Sequence, residues 1–108
     1  MKKKPILHLN LHRKWFDMIA NGEKKEEYRD ISEYWSRIFD SGIVIKGKKY
    51  HPTDVLICFS TGYAKNRPQL FIECTGLSVG MGLVEWGASP VSQYFILKLG
   101  KQIQPPNK

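Results

Sequence analysis

The chain has 108 residues, 42% of them apolar and 25% charged, with a formal net charge of +7. That length fits one domain over residues 1–108 and leaves no room for a second independent core. No apolar run approaches the roughly 20 residues of a membrane-spanning helix. The positive balance points toward polyanions such as nucleic acid. It is equally compatible with a merely solvated cationic surface.

In chain order, Met1 to Pro5 resembles the charged start of a signal peptide, but the apolar stretch after Pro5 is too short and too broken by polar residues. The expected location is therefore the cytoplasm, with no membrane partner. Ile6 to Leu11 alternates, with Leu7, Leu9 and Leu11 on one face and His8 and Asn10 on the other, which predicts a half-buried strand. His12 to Asn21 carries Trp15, Phe16, Met18 and Ile19 at helical spacing, and Gly22 stands where a helix stops in a left-handed residue. Lys24 to Arg29 is a short charged strand. Asp30 to Glu33 has capping-box spacing with Asp30 as cap, and predicts a second helix burying Tyr34, Trp35, Ile38 and Phe39.

Ile43 to Ile45 and Lys49 to His51 flank a tight turn at Lys46-Gly47-Lys48. Val55 to Phe59 and Gln69 to Gly76 are apolar strands, joined by a loop rich in hydrogen-bonding groups. The strand character of the glycine-rich stretch Leu77 to Val84 is left open, Glu85 to Pro90 is a loop, and Gln93 to Leu99 is the last strand. Residues 101–108 read as a frayed tail outside a core of about 5–100. Cys58 and Cys74 lie in apolar runs and read as buried thiols of a reducing compartment. The whole series predicts an α+β domain: about five or six mostly antiparallel strands closed into a small β-barrel, with two short helices. An open α+β sandwich is the alternative.

The segment Gly22-Glu23-Lys24-Lys25-Glu26-Glu27-Tyr28-Arg29 resembles the G-x-K-x-x-E-x-R signature of ASCH domains, and it comes after a strand and an amphipathic helix as in that family. The resemblance extends over most of residues 5 to 100, ending at Leu97-Lys98-Leu99-Gly100. It implies a PUA-like β-barrel whose cleft beside the motif accepts RNA. Some small bacterial members are amidohydrolases that deacetylate acetylated cytidine. In them a lysine at the position of Lys24 works with a threonine three residues later and a distant glutamate. Here Glu27 occupies the threonine position, and a carboxylate cannot supply a hydroxyl. The distant glutamate belongs to a helical insertion that has no counterpart here.

Apart from the family, Lys25, Glu27 and Arg29 share one face of a regular strand, while Lys24 reaches the cleft only if it lies in the turn after Gly22. Arginine forks onto phosphate or guanine, and glutamate accepts from an amino group. The competing reading is a solvated charged strand. In the loop after the Val55 strand, the backbone around Thr61-Gly62 suits an anion, Tyr63 a stacked base, and Lys65 and Arg67 phosphates. Trp86 is either a second stacking platform or a gap filler. His12, at a helix start, can meet an anion. No histidine spacing suits a metal, and no cofactor motif is present.

The expected function is accordingly an RNA- or nucleotide-binding module using Lys24, Glu27, Arg29, Thr61, Tyr63, Lys65, Arg67 and Trp86. Two alternatives stay open. One is a hydrolase of a modified nucleoside, in which Lys24 and Glu27 are catalytic. The other is a protein-interaction or regulatory module.

Overall fold

The alternating first segment forms strand β1 (Ile6–Asn10), with Leu7, Leu9 and the adjoining Leu11 buried and His8 exposed. The computed structural model describes residues 3–105. After β1 come helix α1 (Arg13–Ala20), β2 (Glu26–Asp30), helix α2 (Glu33–Ile38), β3 (Ile43–Ile45), β4 (Lys48–Tyr50), β5 (Leu56–Ser60), β6 (Gln69–Met81) and β7 (Gln93–Ile103). Single 3-10 turns occupy Pro52–Asp54 and Val84–Trp86. No helix among the described residues is long and apolar enough to cross a membrane.

Five strands form one sheet in the order β1-β5-β6-β7-β2, and β3 and β4 form a separate hairpin. β5 is apolar up to its last residue, Ser60, and buried throughout because it lies inside the sheet, between β1 and β6. It runs parallel to β1 and antiparallel to β6. A parallel neighbour needs a long crossover, and the chain from α1 to β4 supplies it. The remaining pairings, β6–β7 and β2–β7, are antiparallel. The sheet is therefore mixed, and it curls into a half-barrel that does not close. This corrects the expected closed barrel: β1 and β2 are the two free edges, and no ladder joins them among the described residues.

Two strands exceed their expected lengths. β6 continues past Gly76 to Met81, with register shifts between Ile72 and Gly76. Such irregularities bend a strand; β6 pairs with β5 through its first residues and with β7 from Phe71 to Met81. β7 runs to Ile103, which pairs with Phe71, so the predicted fraying from Lys101 does not begin there. Residues 106–108 lie outside the described residues.

The second helix is capped by Ser32, whose hydroxyl accepts from the Trp35 amide, and not by Asp30, which ends β2. Its expected buried stripe holds for Phe39, is half-buried at Trp35 and Ile38, and fails at Tyr34, which is exposed. The β3–β4 turn is two residues long. Lys46 and Gly47 both have positive φ (51° and 78°), the twist that a tight hairpin needs. Phe59, Ile57, Leu97, Val55 and Ile43 are wholly enclosed at the centre of the core, each contributing about 1.5–3 kcal/mol by leaving water. Cys58 and Cys74 are buried and unpaired, as expected, and burial raises both thiol pKa values.

Candidate binding cleft at the open seam of the sheet

The site begins with the way α1 ends. Gly22 takes φ +85°, its amide donates to the Ile19 carbonyl (3.1 Å), and the Glu23 amide donates to the Met18 carbonyl (2.9 Å). This is the paired reverse bonding of a Schellman stop. The Lys24 amide also donates to Met18 O (3.0 Å). The chain is thus folded back against the helix end before β2 starts, and Lys24 turns inward.

Its side chain is only 1% exposed. The ammonium donates to the carbonyl of Trp86 (2.7 Å) and lies 3.3 Å from Glu27 Oε1. The rings of Tyr28 and Trp15 stand 4.7 and 5.4 Å away. Burial pushes the Lys24 pKa below its ordinary 10.5, opposed chiefly by the charge and hydrogen bond of Glu27. A buried ion without such partners would cost several kcal/mol, on the order of the desolvation penalty itself.

Glu27, 7% exposed, divides its oxygens between two cations: Oε1 faces Lys24, and Oε2 accepts from Arg29 Nη2 at 2.7 Å. The same Nη2 donates to the carbonyl of Asn10, the last residue of β1, at 3.0 Å. One guanidinium therefore spans the gap between the two free edges of the sheet. Its Nε is buried and has no hydrogen-bond partner. The group lies over the Trp35 ring at 5.1 Å. Trp35 stacks on Phe39 (5.6 Å), and Phe39 meets Phe95 of the core (5.5 Å), so the platform under Arg29 is anchored in the interior.

Above this triad opens a cleft of about 660 Å³. Asn10, His12, Arg13, Trp15, Glu27, Arg29, Trp35, Thr61 and Tyr63 are among its lining residues. Thr61 is buried and its amide donates to Pro68 O (3.3 Å), closing the loop. Asn10 Nδ2 donates to the Gly62 carbonyl (2.8 Å), which fastens that loop to β1.

Of the residues expected at a site, Glu27, Arg29, Thr61 and Tyr63 meet in this cleft. Lys24 sits behind its wall, in contact with Glu27 but not among the lining residues. Lys25 does not join Glu27 and Arg29: it precedes β2, is exposed, and its carbonyl accepts from the Leu99 amide. Lys65 is exposed and lines no part of the cleft, and Arg67 faces a neighbouring groove. The half-buried Trp86 contributes its backbone carbonyl to Lys24, and its indole does not line the cleft. Trp15, Trp35, Arg13 and Asn10 were absent from the expected set. By spacing alone, both tryptophans look like core positions of amphipathic helices. No protein-family model, curated protein or solved structure matches the chain.

Proposed function

We propose that the chain is an ASCH-like, PUA-like module that binds RNA or a modified nucleotide in the cleft at the open seam. The observation that carries the proposal is Arg29. It is a guanidinium held by Glu27 and Asn10 O over the Trp35 ring, and it lines the cleft together with Trp15 and Trp35. The guanidinium lines the cleft, where a ligand's phosphate or base edge can meet it with a charge-assisted bond. Trp15 and Trp35 border the space that a base would fill, and Arg13, paired with Asp17 at 3.1 Å, joins Arg29 in offering positive charge to a phosphate. Binding of a short single-stranded RNA, measured across salt concentrations, tests this. Each neutralised phosphate adds about 0.7 to the negative slope of log K against log salt, so the two cleft arginines, Arg13 and Arg29, give a slope of roughly −1.4. Absence of binding at low salt, or a flat salt profile, contradicts the proposal.

One observation favours the hydrolase reading: a buried lysine with a lowered pKa beside a carboxylate is an arrangement common in proton transfer. Against it, the Lys24 ammonium is occupied by Glu27 and Trp86 O behind the cleft wall, and no hydroxyl stands at position 27. The expected outcome is no appreciable release of cytidine from acetylated cytidine, monitored by chromatography. Turnover that vanishes in Lys24→Ala would establish the enzyme instead.

A further inference from the structure

The cleft is not the only concavity on this side of the sheet. A groove of about 290 Å³ lies next to it, lined by His8, Leu9, Asn10, Ser60, Tyr63 and Arg67. Asn10 and Tyr63 line both. Asn10 braces the boundary between them: its side-chain amide donates to the Gly62 carbonyl, and its backbone carbonyl accepts from Arg29 Nη2. Tyr63 stands on that ridge, 89% exposed, with no hydrogen bond or ring contact among the described residues.

The two sides of the ridge differ in charge. The cleft contains the carboxylates of Glu27 and Asp30 beside its arginines. The groove contains Arg67 and His8 and no carboxylate, and Arg67 forms no ion pair among the described residues. Arg67 is also braced. Its amide and its Nη1 both bond to the Ala64 carbonyl (3.1 and 3.2 Å), so the cation is held at the groove and does not trail in solvent.

We propose that this groove is a second subsite, and that the ligand is a strand of at least two linked nucleotides. One nucleotide occupies the cleft, its neighbour packs against Tyr63 on the far side of the ridge, and the anionic linkage or next phosphate meets Arg67. This rests on the nucleotide reading of the cleft and specifies its substrate class. An exposed aromatic between two hollows suits a stacked base whatever its identity, and an unneutralised cation beyond it suits a phosphodiester.

Calorimetric binding of cytidine 5′-monophosphate and of the dinucleotide pCpC to the full chain separates the possibilities. The dinucleotide is expected to bind about tenfold more tightly, the scale of one added stacked base. Arg67→Ala and Tyr63→Ala should each remove most of that gain. Arg67→Ala should leave the monophosphate unchanged, and Arg67→Lys should retain much of the gain because it keeps the charge. Thermal melts of each variant confirm that the fold is intact. Equal affinity for the two ligands would overturn the second subsite while leaving the cleft reading in place. A gain lost equally in Lys48→Ala would also overturn it, since diffuse charge would then be the cause. Failure of both ligands to bind wild type would contradict the cleft reading and the subsite with it.

Discussion

The segment from Glu23 to Arg29 and the hairpin from Lys46 to Lys49 each carry three cations, yet the fold treats them in opposite ways. In the hairpin all three lysines are exposed. Lys49 reaches Asp40 at 3.4 Å with both side chains about half or more in water, and Lys48 lies over the Tyr50 ring. Water screens such pairs, and each contributes under about 1 kcal/mol. In the first segment Lys24 and Glu27 are buried, Arg29 nearly so, and each charge has two or more partners. Burying ions is a poor way to gain stability, because desolvation consumes most of the attraction. The buried triad does something that the hairpin cannot: it holds a guanidinium in one orientation across the gap between β1 and β2. Each stretch supplies three cations, but the first also carries three glutamates and the hairpin none, and burial of one of those glutamates is what makes the first a site.

The largest expected difference between the regions is in stability. Glu27→Ala leaves two buried cations without their shared carboxylate and should cost about 3–5 kcal/mol in urea denaturation. Comparable losses in Glu27→Ala and Asp40→Ala would erase the contrast.

A smaller effect appears on the alkaline side. Lys24 has a folded pKa below its unfolded value because burial disfavours its charge. Between those two values the unfolded chain holds more protons, so stability rises with pH there. Tyr28 has the opposite sign. Burial raises its pKa from 10.0 to about 12, helped by the hydroxyl's bond to Glu26 (2.7 Å) and resisted by the bond from the Leu83 amide (2.9 Å). Its contribution is complete below pH 10.0 and is lost as pH rises through about 12. Equilibrium unfolding measured through that range should show Lys24→Met abolishing the rise and Tyr28→Phe abolishing the fall. Profiles identical to wild type would mean that neither group is enclosed in solution. The smallest effect belongs to the hairpin, where Asp40→Ala should change stability by less than about 1 kcal/mol.

Much of this was legible where local physics decides. The alternation of Leu7, Leu9 and Leu11 defines β1, Gly22 ends α1, and the period of two puts Glu27 and Arg29 on one face. Distant partners hid the rest. Gly76 and Gly80 weaken a strand signal, yet β6 passes through both because β7 pairs with it residue by residue. The parallel match of β1 with β5, and hence the open seam, arises from topology that no short window contains. Trp15 and Trp35 show helical spacing whether they fill a core or wall a cleft. The oxygen that meets Lys24 from position 86 is a backbone atom, so the identity of the residue there carried no signal.

If the oriented arginine at the seam makes the binding site, and total charge does not, two variants of equal charge must differ. The decisive comparison is the affinity of one short single-stranded RNA for wild type, Arg29→Ala and Lys48→Ala at a single low salt concentration. Each variant removes one positive charge. A loss of at least about tenfold is expected for Arg29→Ala, as charge-assisted bonds in a partly buried site disappear, and about twofold or less for Lys48→Ala. Equal losses in the two variants would contradict an oriented site and leave only diffuse charge.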